Sequence, residues 1–541
     1  MNDRSYLRLL RDPGFAWMLA SQFLGALNDN IYRWSITFFA LDLARGGQVW
    51  EFAGARMTLD PEVLVATIGA ALMAPYLIFS NYAGQLADRF SKRSVLIATK
   101  SLEIVAMAAA LGAFFVGDIV AMIVVLFFMG AQSALYSPAK YGALPELLPD
   151  RDLSRGNALV EMSTFLAIIV GGVLGGSIYE AFHDNLPMIG AILLAISVLG
   201  TLCSFGIGRM PPGRRGKRFS WNPVGDVALG LAELYRNRRL WLTVLGISYF
   251  WFVGALVQQL IPLFGDQVLR TAPTQTQMLG AVIAIGIALG SLAAGRLSGH
   301  KVELGLVPIG AAGMAIGAFV LAGVDESYLA AATCLAVLGF FGGLYSVPLN
   351  AMLQQKADED KRGRFIAANN VMNTLGILLA SGLLAVSGGL LGLSPKANMV
   401  IAGVTVICVI TYLLILLPDF LIRFCLWLLT HSIYRIRIVG HDHVPLNGPA
   451  LLVANHLSFI DGLLVGACVQ RFVRFMVYAP FFEMPLLGRL FKLMRAIPTG
   501  GGGARGAIAA IRRAREEIAG GHVVCIFAEG AISRTGNMLP F

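Results

Sequence analysis

A histidine and an aspartate stand five residues apart in Asn455-His456-Leu457-Ser458-Phe459-Ile460-Asp461. The apolar LLVANH ahead of them reads as a short buried strand, and residues 461–470 read as a helix. At such a strand-to-helix junction the carboxylate can reach one imidazole nitrogen and fix its tautomer. The other nitrogen is then free to take a proton from an alcohol. No serine or cysteine nucleophile is needed if a substrate hydroxyl attacks directly. The same spacing also fits a turn in which the two side chains only cap one another, and spacing alone does not choose. A second cluster is Phe527-Ala528-Glu529-Gly530-Ala531-Ile532-Ser533-Arg534. Here the strand-like 522–528 ends in a carboxylate and a glycine. Ligands gather at strand ends in α/β folds, and an arginine there can meet a phosphate as a charge-assisted pair. A solvated Glu–Arg turn would have the same sequence.

A third cluster lies in apolar sequence: Asn28, Asp29 and Asn30, with Arg33 one turn further on. A carboxylate near mid-membrane is expensive and is a functional site by default. Its chemistry would be to bind a coupling cation or a substrate ammonium group. The alternative is a structural ion pair, for which Arg33 has the right spacing. Glu103, Glu161, Gln258, Gln259, Asn369, Asn370 and Asn373 are further polar positions in apolar surroundings. The loop Gly84-Gln85-Leu86-Ala87-Asp88-Arg89-Phe90-Ser91-Lys92-Arg93 combines a small residue for close helix approach with Asp88 and Arg89. Such an aspartate can pair with basic partners at one membrane face.

The elements that must hold these residues follow from composition. Of 541 residues, 57% are hydrophobic and 14% charged, against about 25% charged in an ordinary soluble domain. Apolar stretches of membrane-spanning length recur at 15–41, 64–86, 95–116, 119–138, 157–180, 187–208, 240–263, 276–296, 303–323, 328–349, 366–389 and 399–417. With the N-terminus inside, Lys and Arg crowd the inner ends and loops. The outer loops hold only Arg45, Arg56, Arg270 and Lys396, a positive-inside pattern. The formal charge of +10 is thereby explained by topology and calls for no nucleic acid. The six cysteines are scattered, with no metal-ligand spacing and no disulfide framework. Leu135-Tyr136-Ser137 recurs as Leu344-Tyr345-Ser346, and Ala83-Gly84-Gln85-Leu86 as Ala294-Gly295-Arg296-Leu297, which suggests an internal repeat. The segment 418–439 is apolar with scattered basic residues, as in a helix lying in the interface. Residues 504–519 read as an amphipathic helix.

Asn455 to Asp461 and Phe527 to Arg534 resemble the first and third blocks of the glycerolipid acyltransferases. The resemblance implies that His456 is the general base and Asp461 its orienting partner. It also implies that Glu529, Gly530 and Arg534 hold the acceptor phosphate. Gly488 to Arg495 matches the second block and makes Arg495 a further phosphate contact. The co-substrate implied is an acyl-CoA or acyl-carrier-protein thioester, with no other cofactor and no metal. Ala528 stands where the family often has proline, and Ala531-Ile532-Ser533 precede Arg534 where it often has Thr-Arg. That variant looks like the acyltransferase part of the 2-acylglycerophosphoethanolamine acyltransferase/acyl-carrier-protein synthetase enzymes. The resemblance therefore makes acyl carrier protein a candidate partner. It also leads us to expect a C-terminally truncated acyltransferase domain, followed in the parent protein by an adenylate-forming domain.

The Gly84–Arg93 loop resembles the signature loop of the major facilitator superfamily. AWMLASQFLGALNDNIYRW and SALYSPAKYGALPELLP resemble its lysophospholipid transporters, over roughly residues 10–415. The expected protein is an all-α polytopic membrane protein with 12 transmembrane helices in two six-helix halves, followed by an incomplete cytoplasmic α/β acyltransferase domain. The expected boundaries are a transporter at 1–417 (halves 1–208 and 240–417 around a basic linker, 209–239), an interfacial linker at 418–439 and the acyltransferase at 440–541. The resemblances imply a monomer of the bacterial inner membrane, with its N-terminus and acyltransferase domain cytoplasmic. It would flip lysophospholipid, chiefly lysophosphatidylethanolamine, and re-acylate it. The alternatives are a small-solute or drug transporter with a non-catalytic acyltransferase remnant, or a membrane-tethered lysophosphatidic acid acyltransferase.

Overall fold

The structure is a computed structural model. It describes residues 9–46, 49–52, 55–58, 60–149, 152–210, 225–298, 303–356, 362–416, 426, 428–430, 432–434, 436–440, 443–445, 448–469, 471–485, 487–500 and 503–533. The chain divides into two compact units, Met1–Ala293 with Gly310–Ile407, and Ala294–Ile309 with Cys408–Phe541.

The first part of the chain is helical. In order come α1 (Pro13–Arg45), a hairpin of β1 (Val49–Phe52) and β2 (Ala55–Thr58), α2 (Pro61–Arg89), α3 (Lys92–Val116), α4 (Ile119–Leu147), α5 (Leu153–Phe182) and α6 (Leu186–Phe205). Then follow α7 (Gly225–Arg236), α8 (Arg238–Phe264), α9 (Pro273–Ser298), α10 (Leu306–Ala322), α11 (Tyr328–Lys356), α12 (Arg362–Leu384) and α13 (Pro395–Leu416). The starts are chemically marked. Asp12 caps α1 by accepting from Phe15 N at 2.9 Å, with Pro13 at the first helical position, where a missing N–H costs nothing. Between α3 and α4, Gly117 takes φ 72° and Asp118 accepts from Val120 N at 2.9 Å, so a two-residue joint ends one helix and caps the next.

Ten of these helices, among the described residues, are long and apolar enough to cross a membrane. Two of the twelve expected spans differ. The 33-residue α1 has the length, but Asn28, Asp29, Asn30 and Arg33 interrupt its apolar run. The apolar α10 has 17 residues. The sequence suggests a basic loop over 209–239; the structure instead has α7 within it, and 211–224 lie outside the described residues.

Packing repeats along the chain. α1 lies against α5 and α2 against α4; further on, α8 lies against α12. Small residues allow these approaches, as expected where helices gain no hydrophobic drive from lipid. A Cβ on Gly130 of α4 would stand 2.4 Å from the Leu72 carbonyl of α2. One on Gly290 of α9 would stand 1.8 Å from the Phe340 carbonyl of α11. The repeated tyrosines, Tyr136 and Tyr345, are both buried, and Tyr345 donates to the Gly246 carbonyl at 3.1 Å.

The C-terminal region holds a parallel sheet in the order β3-β6-β4-β5, from β3 (Ala450–Ala454), β4 (Val473–Tyr478), β5 (Ile497–Thr499) and β6 (Val523–Phe527). Parallel strands need crossovers. These are supplied by α14 (Asp461–Cys468), α15 (Leu487–Leu493) and α16 (Gly503–Ala519). Central β6 pairs Cys525 with Leu452 on one side and with Phe475 on the other. Its side chains alternate between two cores. Val523 and Cys525 pack with Val473, Phe475 and Met494. Val524 packs with Ile497, Ala510 and Ala514, so the apolar stripe of α16 covers that face. Burial pushes the Cys525 thiol up to about 11, so it is a packing residue and no nucleophile. Of the 418–439 segment, 428–430 are helical with Leu428 and Leu429 exposed, and 436–440 have no regular structure.

Candidate functional site: a His–Asp pair and a buried polar cluster

β3 ends at Ala454 and α14 begins at Asp461, so His456 and Asp461 face each other across the connecting turn. His456 Nδ1 lies 3.0 Å from Asp461 Oδ2. The same oxygen accepts from the backbone N of Leu457 at 2.6 Å and of Ser458 at 2.8 Å. One carboxylate oxygen thus both caps the turn and hydrogen-bonds the ring. An oxygen already accepting two amides is an acceptor for the ring as well. Nδ1 therefore carries the hydrogen, and Nε2 keeps its lone pair. The ring stacks on Phe527 with centroids 4.3 Å apart, and Phe527 stacks in turn on Phe475.

The Glu529 turn supports this histidine from below. Glu529 is buried, and its Oε1 accepts from His456 N at 3.2 Å. Ser533 N donates to the His456 carbonyl at 2.8 Å, and Ala528 N to the Ala454 carbonyl at 3.3 Å. Gly530 turns the chain at φ 64°, a conformation that suits glycine. The structure therefore brings His456, Asp461, Glu529 and Gly530 together. Arg534 lies outside the described residues. Arg495 is exposed just beyond α15, at φ 50° in the left-handed region, with its N–H donating to the Lys492 carbonyl at 3.1 Å.

His456 stands at the wall of a cavity of about 890 Å³. Apolar side chains dominate the lining, among them Phe459, Phe481, Leu490, Met494 and Ile511. The neighbours of Arg495, Met494 and Ala496, line it as well. A proton acceptor beside a long apolar cleft can serve a reaction in which a chain-bearing carbonyl meets an alcohol. Among the described residues no group of His, Cys, Asp and Glu is arranged to hold a metal ion.

The polar cluster in the helical part is arranged differently. Asp29 Oδ2 accepts from Ser133 Oγ on α4 at 2.6 Å, while its Oδ1 is buried with no hydrogen-bond partner. Arg33 donates instead to Gln258 Oε1 of α8 at 3.3 Å and lies over the Trp34 ring at 4.7 Å. Asp29 and Arg33 thus find partners on other helices and not one another. Fully buried Asn28 donates to Glu103 Oε1 at 3.3 Å, and its own Oδ1 is unpartnered. Asn30 turns back to its own helix, donating to the Ala26 carbonyl at 2.8 Å. Asn373 accepts from Ser248 at 3.1 Å, and the buried Asn369 Oδ1 has no partner. Arg89 is exposed at the end of α2; the side chain of Asp88 lies outside the described residues.

Sequence reasoning passed over Lys100. Its Nζ is 2.5 Å from Glu103 Oε2, and both side chains are almost fully buried. Gly25 and Gly200 make the room, since a Cβ on either would stand 2.9 Å from Nζ. The signal was present: a lysine within an apolar run, three residues before a glutamate, is a same-face pair on a helix.

Residues 18–381 match the Major Facilitator Superfamily and residues 435–541 match the family described as Acyltransferase. The lysophospholipid transporter LplT of Klebsiella pneumoniae is 31% identical over 388 residues, covering 70% of this chain and 90% of that protein. LplT of Photorhabdus laumondii is 30% identical over 389 residues, covering 71% and 90%. Among solved structures, the POT family transporter PepTSo aligns with a TM-score of 0.58 at 13% identity, covering 76% of this chain and 98% of that one. The nucleoside transporter NupG aligns with 0.56 at 13%, covering 74% and 100%. At such identities the two structures speak to the fold alone.

Proposed function

The chain belongs to the Major Facilitator Superfamily, as a lysophospholipid-transporter-like domain fused to an acyltransferase domain, and on that premise we propose a two-step lysolipid salvage. The helical part carries lysophospholipid, chiefly the phosphoethanolamine form, from the outer to the inner leaflet of the bacterial inner membrane. The C-terminal domain then esterifies its free glycerol hydroxyl. In this reading α1 and α10 join the ten apolar helices as twelve spans in two six-helix halves, with both chain ends cytoplasmic, in a monomer.

The observation that carries the enzymatic half is the Nδ1–Asp461 hydrogen bond, which leaves Nε2 of His456 as the base. Nε2 takes the hydroxyl proton as the alcohol oxygen bonds to the thioester carbonyl carbon. The C–S bond then breaks, and the proton passes to the departing thiolate. The donor is an acyl-CoA or acyl-carrier-protein thioester whose chain occupies the apolar cleft. Glu529, Gly530, Arg534 and Arg495 hold the acceptor phosphate, and Glu529 also accepts from the His456 amide. In the helical part Asp29, with one buried oxygen unused, receives the ammonium group of the substrate. Asn28, Asn30 and Arg33 assist Asp29 in this role, and Asp88 with Arg89 ties the inner ends in one transport state. Fusion raises the local concentration of the shared intermediate.

The test uses sealed proteoliposomes with labelled lysophosphatidylethanolamine outside and acyl donor at the enzymatic face. Wild type should yield diacyl product. His456→Ala should abolish the product yet leave protection of the lysolipid from an impermeant quencher intact. Product formation by His456→Ala would overturn the catalytic assignment, and absence of protection in wild type the transport assignment.

A further inference from the structure

Two of the four cations that the sequence puts in outer loops, Arg45 and Arg270, meet at one cavity. It has a volume of about 480 Å³ and is lined by Asp42, Arg45, Asp266 and Arg270 together with Phe38 and Leu41. Asp266 lies in the π turn Gly265–Leu269 that ends α8. Arg270, directly after it, is held at φ 51°, with its N–H bonded to the Gly265 carbonyl. Its side chain is exposed, and its guanidinium has no partner among the described residues.

The same region ties early helices to late ones. Arg45 at the end of α1 pairs with Asp266 beyond α8. Gln267 donates to Glu62 Oε1 at the start of α2, at 2.9 Å. Thr274 at the start of α9 donates to Glu180 Oε2 at the end of α5, at 2.7 Å. The backbones are close as well, since a Cβ on Gly176 would stand 2.8 Å from the Pro273 carbonyl. Asp42 shares the Arg45 guanidinium with Asp266, accepting from its Nη1 at 3.0 Å, and also accepts from the Tyr179 hydroxyl at 2.5 Å.

Two guanidiniums and two carboxylates around an apolar floor match a zwitterion with a short apolar neighbour. A phosphodiester would take the guanidiniums, bidentately in the case of arginine, and an ammonium the carboxylates. The geometry points to an outer-face reception site for a zwitterionic phosphodiester headgroup, whose phosphate displaces Asp266 from Arg45 and so unties the halves. This rests on the reading that the helical part moves lysophospholipid inward. The energetics are those of a population shift. While Arg45 Nη2 is tied to Asp266 the phosphate finds only Arg270; once untied it finds Arg45 Nη2 as well, with Nη1 still on Asp42, so the ligand binds the open state better and favours it.

The test is a spin-label distance between Ala181→Cys on α5 and Gln275→Cys on α9, in the full chain freed of its native cysteines and reconstituted in proteoliposomes. Three probes are added separately: inorganic phosphate, glycerophosphoethanolamine and lysophosphatidylethanolamine. The two zwitterions should lengthen the distance, with phosphate needing about tenfold more or failing. Asp266→Asn should show the long distance without ligand. Arg270→Asn, chosen because asparagine tolerates the left-handed backbone, should raise the zwitterion midpoint about tenfold and leave the ligand-free distance unchanged. An Asp266→Asn distance equal to wild type, or an unshifted midpoint in Arg270→Asn, would overturn the proposal. Equal potency of phosphate would reduce the site to a plain anion site and overturn the zwitterion assignment. Opening by headgroup without any lysolipid flipping would sink the transport reading and leave this site standing. Flipping intact with both variants inert would do the reverse.

Discussion

Two aspartates in this chain show opposite uses of a carboxylate shielded from solvent. Asp461 gives one oxygen to three donors at once, the His456 ring and the Leu457 and Ser458 amides. Asp29 gives one oxygen to Ser133 and keeps the other buried and unpartnered. A saturated acceptor cannot reorganise, so it holds a neighbour in one tautomer through every turnover. An unsaturated one carries a standing cost of about 1–3 kcal/mol, which a ligand removes when it donates. The first suits a group that must stay fixed beside chemistry. The second suits a group that must exchange partners during a transport cycle.

The comparison breaks first at Asp461. In Asp461→Asn the amide either keeps its oxygen toward the turn, losing the negative charge, or presents its NH2 to Nδ1 and moves the ring hydrogen to Nε2. Either outcome weakens the base, so acyl transfer should fall by about 10²- to 10⁴-fold with the lysolipid KM little changed. Steady-state kinetics with a detergent-presented lysolipid measures this. A loss below fivefold would mean that the aspartate only caps the turn.

Asp29→Asn is the matching change in the helical part. The amide is isosteric and keeps the Ser133 contact, so folding should survive. Lysolipid flipping should slow about tenfold or more, while acyl transfer to detergent-presented lysolipid stays at the wild-type rate. Quencher protection in proteoliposomes and the soluble assay, run on one preparation, separate the two. Equal losses in both would show that Asp29 acts on folding and not on the carrier cycle.

Lys100 and Glu103 sharpen the contrast within the membrane part, being a buried pair that is satisfied where Asp29 is not. Lys100→Met strands the Glu103 carboxylate and should destabilise by about 3–5 kcal/mol, read as a lower unfolding temperature. Adding Glu103→Gln removes the stranded charge and should restore most of the loss, because exchanging both partners of a buried pair is often near neutral. A double variant as unstable as the single one would assign Lys100 a role beyond pairing with Glu103.

What the sequence disclosed follows from how local each signal is. The His456–Asp461 pair, the β6 strand before Glu529 and the amphipathic α16 all depend on residues a few positions apart, and all three were legible. The ten apolar helices were legible from length and composition. Partners contributed by distant helices were not. Helical spacing offered Arg33 as the alternative, structural partner of Asp29, but the fold pairs Asp29 with Ser133, 104 residues on, and Arg33 with Gln258, 225 residues on. β4 was also missed. Its Val473–Tyr478 run is short and mixed, and only pairing with β6 and β5 on either side makes it a strand. The contact of Glu529 with the His456 amide was not legible either, because that partnership is set by the β3–β6 register.

The smallest expected effect is at Arg495, where local strain and a candidate phosphate contact coincide. α15 closes with the Ala496 N–H donating to the Phe491 carbonyl at 2.9 Å and Arg495 in the left-handed position between them. That closing position is where glycine normally stands, and a side chain there costs about 1 kcal/mol. Arg495→Gly should therefore raise stability by about 1 kcal/mol while weakening the acceptor, with a higher KM for lysolipid and an unchanged kcat. Arg495→Asn, which tolerates the same backbone, separates the two effects: it should lose affinity as the glycine variant does, with less gain in stability. If both variants become more stable and bind lysolipid as wild type does, the strained arginine has no part in phosphate recognition, and that role falls to the segment beyond Ser533.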